Sequence, residues 1–193
     1  MCLIHVIYIP AIAIDYKVGK GLVLELNRFS AVNKYRVERW CYLHHLKLAA
    51  WLIRCWIYLI HNSYVPYTCE IGEGTVFGYK GIGLVIHSDS KIGKNCVIGT
   101  NVTIGGGTSG CHHRIEEFDK IRQHVPVIGN GVSIATGAKI LGPIVIGENA
   151  VIGANAVVLC DIPRNTVWGG GASQTDWTKR TVGGLKNELG KAI

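Results

Sequence analysis

An aliphatic residue recurs at every sixth position along much of the chain, and this period constrains the fold more than any other feature. The in-phase positions are Ile86, Ile92, Ile98, Ile104, Ile128, Ile134, Ile140, Ile146, Ile152 and Val158. An amphipathic helix repeats every 3.6 residues and a strand every two, so neither fits. A six-residue period is typical of a parallel β-helix, in which short strands stack coil upon coil. We therefore predict a mainly β fold with these side chains inside and Gly or Asn at the corners.

Two interruptions break the period. The first follows Phe77, where the next in-phase position comes nine residues later, so three residues are inserted within segment 79–83. The second follows Ile104, where the gap is twenty-four residues, an excess of eighteen. Segment 106–127 is therefore predicted to leave the coil as an outward loop. Long excursions from a regular scaffold are commonly functional or disordered. The three histidines in this one favour a functional role: His112, His113 and His124.

The first third of the chain has a different pattern. Residues 22–62 show helical spacing of apolar side chains, which indicates about two helices. Ser30 is predicted to cap one helix, and Asn62 to end the region. Most of the aromatic residues there are expected to pack in the core. We divide the chain into a helical region at 1–66, a β-helix at 67–168 and a tail at 169–193.

Composition narrows the class of protein. The chain has a net charge of +7 but no basic stripe with interleaved aromatic residues, so we expect no nucleic-acid partner. Its seven cysteines lack CxxC spacing, which favours free thiols in the cytoplasm. The apolar run at 46–60 is too short to span a membrane and carries Lys47 and Arg54. Peripheral contact at the inner face of a membrane stays open, because tryptophans and basic residues alternate in this region.

Three motifs carry a resemblance to a known family. They are Asn101-Val-Thr-Ile-Gly-Gly-Gly107 and the segments 131–142 and 144–158. They resemble the hexapeptide-repeat acyltransferases, especially the serine acetyltransferases and related polysaccharide O-acetyltransferases. The resemblance implies a left-handed parallel β-helix with an α-helical N-terminal region. It also implies a homotrimer with sites between subunits, acetyl-CoA as donor and a hydroxyl acceptor, either L-serine or a sugar of a surface polysaccharide.

The chain departs from the family pattern at the residues that matter for chemistry. The Asp-His pair that holds the family's general base falls on Gly78 and Tyr79, and a second family aspartate falls near Tyr64. The family's Arg-His-Pro becomes His124-Val-Pro126, and its late Gly-Val-Pro-Ala becomes residues 169–172. These differences leave the fold untouched and raise the odds of a sugar acceptor.

A hydroxyl acceptor needs a general base, and histidine titrates near neutrality. His87 is the first candidate because it occupies a corner, one coil of eighteen residues before the glycine-rich turn at 105–107. Backbone N–H groups of such a turn can stabilise an oxyanion. His112, His113 and His124 are the other candidates, since the excursion loop can fold over a site.

The resemblance also suggests residues for acetyl-CoA. Small residues that match the family's pantetheine groove are Gly106, Gly107, Thr136 and Ala154. Cationic partners for the nucleotide phosphates are Lys139, Lys179 and Arg180. No metal is expected, because His112 and His113 are adjacent and lack a second pair of ligands.

The sequence therefore predicts an acetyl-CoA-dependent O-acetyltransferase that works by histidine general-base catalysis. Two alternatives stay open. Loss of the family's usual histidine would suit a catalytically silent scaffold or partner-binding subunit. A zinc β-helix of the carbonic-anhydrase type would need three histidines from successive coils, and His87 alone does not provide them.

Overall fold

Two helices precede the strands in the computed structural model, which describes residues 30–107, 115–169 and 180–181. Helix α1 spans Ala31–Leu43 and helix α2 spans Lys47–His61. Ser30 has extended backbone at the N-cap position of α1. Asn62 adopts a left-handed conformation directly after α2 and ends it, as the sequence predicts.

The rest of the described chain is built from short strands. Their bounds are β1 Glu70–Ile71, β2 Val76–Phe77, β3 Val85–Ile86, β4 Lys91–Ile92, β5 Val97–Ile98, β6 Thr103–Gly105, β7 Val127–Ile128, β8 Ser133–Ile134, β9 Lys139–Leu141, β10 Val145–Ile146, β11 Val151–Ile152, β12 Val157–Val158, β13 Thr166–Trp168 and β14 Arg180–Thr181. They form three sheets, ordered β1-β4-β7-β10, β2-β5-β8-β11-β13-β14 and β3-β6-β9-β12. Each strand pairs in parallel with strands of neighbouring coils, except that β14 pairs antiparallel to β13. The predicted parallel β-helix is confirmed.

The strand register locates both interruptions. Val85 pairs with Thr103, eighteen residues on, which is one regular coil. Val76 pairs with Val97, twenty-one residues on, so the first insertion adds three residues to its coil. Thr103 pairs with Lys139, thirty-six residues on. The second interruption is therefore an excursion of eighteen residues that leaves the stacking of the coils intact.

The in-phase aliphatic residues form the interior of the coils, with exposed fractions between 0% and 4%. A second inward position, two residues before each of them, was not anticipated. Its buried members are Leu84, Ser90, Cys96, Val102, Pro126, Val132, Ala138, Ile144, Ala150 and Ala156. Asparagines take left-handed backbone at several corners, as expected: Asn95, Asn101, Asn149 and Asn155. Two side chains from each six-residue repeat thus fill the interior of the coils.

The helices cover the first coil through one face. Tyr35 of α1 is buried, and its hydroxyl donates to the Cys69 carbonyl at 2.6 Å. Ile57 of α2 belongs to the same core cluster. The expectation that the helical aromatics pack inside is wrong for the tryptophans, because Trp40, Trp51 and Trp56 all lie exposed in the chain.

Candidate active site

His87 lies at the corner that follows β3. Its backbone N–H donates to the Ile104 carbonyl at 2.8 Å, one coil further on. This register stacks His87 beside Gly105, the first residue of the glycine-rich turn, as the eighteen-residue spacing predicts. The side chain is partly exposed at this corner.

The described part of the excursion, from residue 115 onward, is bonded to the last coils. Arg122 donates to the Asp161 carboxylate at 2.9 Å and to the Pro143 carbonyl at 2.7 Å. The same carboxylate, which is fully buried, accepts from the backbone N–H groups of Ile115 and Val145. Burial alone would raise the pKa of Asp161, but these hydrogen bonds together lower it below its ordinary value. Arg122 is thus a fixed anchor two residues before His124.

This anchor brings His124 to the corner of His87. His124 Nε2 lies 2.9 Å from Asp89 Oδ2, and the His87 and His124 rings meet edge to face with centroids 6.0 Å apart. The backbone N–H of Asp89 donates to His87 Nδ1 at 3.2 Å. We call His87, Asp89 and His124 the corner cluster. Two of the histidines proposed from the sequence are therefore neighbours, although 37 residues separate them in the chain.

The hydrogen bonds of the corner cluster define the proton positions on both rings. An ionised carboxylate only accepts, so His124 Nε2 carries the proton shared with Asp89 and the neutral ring keeps a free lone pair on Nδ1. His87 accepts at Nδ1 from a backbone N–H, so its neutral ring carries the proton on Nε2. One histidine is thereby set as a proton acceptor and the other as a hydrogen-bond donor.

The corner cluster also has the spacing of a potential ion site. One ligand atom from each of the three residues lies within 4.8 Å of the others. The sequence predicts no metal, because His112 and His113 lack a second pair of ligands and His87 alone provides no set across the coils. The Asp89 carboxylate is half exposed and already accepts a hydrogen bond from His124. The cluster is therefore a hydrogen-bonded pair, Asp89 and His124, with His87 beside it.

The residues suggested for acetyl-CoA occupy two corners of the prism. Gly106 and Gly107 follow β6 at the corner of the cluster, and a Cβ on Gly107 would approach the backbone of Gly142 to 3.3 Å. Thr136 and Ala154 lie at the preceding corner, after β8 and β11, and both are exposed. Sheet β3-β6-β9-β12 separates the two sets, so one subunit does not bring all four together.

Lys139 lies on β9, between these corners. Its ammonium donates to the Asn101 carbonyl at 2.8 Å and to the Thr103 hydroxyl at 3.1 Å. Arg180 is described only as a backbone position in β14, where it pairs with Val167. Three further candidates lie outside the described residues: His112, His113 and Lys179.

Sequence reasoning missed Asp89. An acidic residue at a β-helix corner is ordinary, and the excursion that brings His124 to it cannot be folded from periodicity. The spacing His87-x-Asp89 was the one available signal. At the position of the family's Asp-His pair, Tyr79 has a left-handed backbone and a side chain 81% exposed, so no imidazole replaces the family's base there.

Known proteins share both sequence and architecture with this chain. Residues 126–160 match the bacterial transferase hexapeptide (six repeats) family. A serine acetyltransferase from Synechococcus elongatus is 34% identical over 147 residues, which cover 75% of this chain and 55% of that protein. The chain thus spans about half the length of such curated relatives.

Solved structures agree with the sequence matches. The Neisseria gonorrhoeae serine acetyltransferase in complex with serine superposes with a TM-score of 0.58 at 30% identity, covering 71% of this chain and 52% of that chain. A serine acetyltransferase in complex with CoA gives 0.60 at 29% identity, covering 78% and 55%.

The fold is a left-handed parallel β-helix with an N-terminal helical region. The chain therefore carries a match to the bacterial transferase hexapeptide family over part of its β-helix, and it is similar to the serine acetyltransferases in sequence and in fold.

Proposed function

We propose that this protein is an acetyl-CoA-dependent O-acetyltransferase. The observation that carries the proposal is the corner cluster, which lies beside the glycine-rich turn of a hexapeptide β-helix. Support comes from solved relatives named as serine acetyltransferases, one in complex with CoA and one in complex with serine. The chemistry of the cluster, a histidine oriented by a carboxylate, is what removal of a hydroxyl proton requires.

His124 is the general base in this proposal. The acceptor oxygen attacks the thioester carbonyl carbon while its proton passes to His124 Nδ1. Asp89 stabilises the imidazolium that forms, because its carboxylate holds Nε2–H at 2.9 Å. The tetrahedral intermediate then collapses with cleavage of the C–S bond, and the CoA sulfur takes the proton back from His124. No covalent acyl-enzyme is needed, so a free cysteine has no step to perform.

His87 has the complementary role. Its Nδ1 accepts from the Asp89 backbone, so Nε2–H is the donor that remains. A donor at this corner suits the oxyanion or the acceptor oxygen, alongside backbone N–H groups of the Gly105–Gly107 turn. The two histidines thus divide the work: one moves a proton and the other donates a hydrogen bond.

A second subunit completes the site in this proposal. His124 is 69% exposed and His87 39% exposed in the isolated chain, whereas acyl transfer needs a site that excludes water. We infer a homotrimer in which a neighbouring subunit covers the cluster. Its Thr136 and Ala154 corner would then face the Gly106–Gly107 corner and form the pantetheine groove. Lys139, Lys179 and Arg180 stay candidates for the phosphates.

The acceptor is a hydroxyl of L-serine or of a sugar in a surface polysaccharide. The sugar is favoured by the segment at 79–83, which replaces the family's Asp-His pair by an exposed tyrosine on left-handed backbone. Residues held in such a conformation cost energy and cluster at functional sites. A protruding aromatic ring is also a common surface for stacking a sugar.

The test is CoA release from acetyl-CoA by purified protein, measured with a thiol reagent, with L-serine and then with sugar acceptors. Turnover with either acceptor is expected. Asp89→Asn should lower kcat because the amide no longer fixes the His124 tautomer, and His44→Gln, an exposed histidine on the helical side, is the matched control. Dialysis against a chelator should leave turnover unchanged. Absence of both acetyl-CoA binding and turnover would favour the silent scaffold and overturn the proposal.

A further inference from the structure

Helix α2 has two apolar faces, and only one of them meets other parts of the chain that the structure describes. The inner face carries Ala50, Ile57 and His61, all buried against α1 and the first coil. The opposite face carries a row of apolar residues at helical spacing, which we call the α2 stripe: Leu48, Trp51, Leu52, Cys55 and Leu59. A water-facing helix surface is normally polar. The α2 stripe is therefore built for an apolar contact that the described chain does not supply.

The α2 stripe is large and strongly exposed. Leu48 is 71% exposed, Trp51 57% and Leu59 79%. Further exposed apolar residues lie at the end of α1, in the connection to α2 and on α2 itself: Trp40, Tyr42, Leu43, Leu46, Trp56, Tyr58 and Ile60. Scattered apolar residues are ordinary on a protein surface, but a contiguous patch marks a site of contact with a partner or a membrane.

The charges around this patch have one sign. Residues 31–61 contain five lysines and arginines and a single acidic residue. Four of the five basic side chains are engaged within the chain, because Lys34 is buried, Arg36 and Arg39 donate to carbonyls of the first coil and Arg54 pairs with the acidic residue. That residue, Glu38, is buried and bonded to Arg54 at 3.0 Å, so it presents no negative charge to the outside. Lys47 is exposed at the start of α2, next to Leu48. A surface that combines apolar bulk, aromatic rings and an exposed lysine, with no exposed acidic residue on the two described helices, is complementary to an anionic lipid surface.

The dimensions of α2 favour a helix that lies on a membrane. Among the described residues no helix is long and apolar enough to cross one. Fifteen residues make a helix of about 22 Å, and its apolar face would enter the boundary between headgroups and acyl chains. Trp51 on the stripe and Tyr58 beside it are the side chains that favour this boundary region.

We propose that the α2 stripe binds the surface of an anionic membrane, with helix α2 parallel to the bilayer. This contact is independent of the acetyl-transfer proposal, since the corner cluster lies on the β-helix and shares no residue with the stripe. It would hold the enzyme close to acceptors that are themselves carried on a membrane.

The experiment is co-sedimentation of the full chain with vesicles of phosphatidylcholine and phosphatidylglycerol in a 3:1 ratio, against vesicles of phosphatidylcholine alone. The stripe variant Leu48→Gln/Trp51→Gln/Leu59→Gln replaces exposed residues by good helix formers. The matched control Ile121→Gln/Leu159→Gln alters two apolar residues of similar exposure on the β-helix side. Circular dichroism checks that both variants fold.

We expect wild type and control to bind the anionic vesicles and the stripe variant to bind at least tenfold more weakly. Binding should also fall with salt and on neutral vesicles. Equal binding by the folded stripe variant would overturn the proposal, as would equal binding to neutral vesicles. If wild type does not bind either kind of vesicle, and light scattering shows that the stripe variant forms a smaller oligomer than wild type, the α2 stripe is a contact between copies of the chain and the proposal fails.

Discussion

The anchor of the excursion predicts a large effect for one isosteric change, Asp161→Asn. The wild-type carboxylate is fully buried and accepts four hydrogen bonds, two from Arg122 and one each from the N–H groups of Ile115 and Val145. Asparagine keeps one acceptor oxygen but turns an NH2 group toward two of these donors. It also leaves the Arg122 guanidinium, whose side chain is 8% exposed, with the half-exposed Asp119 carboxylate at 3.2 Å as its remaining counter-charge.

Breaking a buried ion pair by removing one partner costs about 3–5 kcal/mol. For a chain of this length, 1 kcal/mol corresponds to roughly 2–4 °C in Tm, so Asp161→Asn should lower Tm by about 6–20 °C. The lowered pKa also gives the direction in which the stabilisation by Asp161 changes with pH. Because the folded pKa of Asp161 is lowered, its stabilisation is present above the unfolded pKa and is lost as pH falls through the folded pKa.

The assay is urea and thermal unfolding followed by circular dichroism at neutral pH. The matched control is Glu117→Gln, which removes another ion pair between the excursion and the coil, to Arg164, with both side chains 63% exposed. Exposed pairs contribute about 0–1 kcal/mol, so the control should change little. The reasoning is refuted if Asp161→Asn stays within about 1 kcal/mol of wild type, or if Glu117→Gln costs as much.

Three further results are expected. Burial, and after it the charges of Lys34 and Lys80, lower the pKa of His61 from 6.5. The unfolded chain therefore takes up a proton more readily than the folded protein, and stability should fall as pH drops below 6.5. His61→Gln should flatten the dependence of Tm on pH, and an unchanged slope would contradict this. Burial raises the pKa of the Cys69 thiol to about 12, so iodoacetamide mapping at pH 8 should leave it unlabelled in the folded protein. Gly137 has φ +79° and an added Cβ would meet the Asn155 side chain, so Gly137→Ala should cost at least about 1–2 kcal/mol in urea unfolding, and a neutral effect would count against the corner geometry.

The sequence predicted the coils well because their determinants are local. Ile86 and Ile104 lie one coil apart, and a buried position that repeats every six residues leaves one solution for the stacking. The helices were harder for a physical reason. Residues such as Leu52 and Ile57 both obey helical spacing, and a helix with two apolar faces does not reveal which one meets the core. The wrong expectation that the tryptophans are buried followed from that ambiguity.

The candidate site could be predicted only in part. His87 was identified from its place in the repeat, but its neighbours depend on the path of the excursion. That path is fixed by the contact of Arg122 with Asp161, 39 residues away in sequence, which no period encodes. Asp89 therefore remained unnoticed, although it orients His124 and accounts for the proton positions of both rings.

The measurement that tests the central claim most directly is the steady-state kcat of His124→Gln beside that of His87→Gln, with saturating acetyl-CoA and the acceptor that supports turnover. Loss of a general base typically costs 10²–10⁴-fold, so His124→Gln should lose kcat by that order while KM for acetyl-CoA changes by less than about threefold. His87→Gln keeps a side-chain donor and should lose less. A His124→Gln enzyme that retains more than about a tenth of wild-type kcat would contradict the assignment of the base.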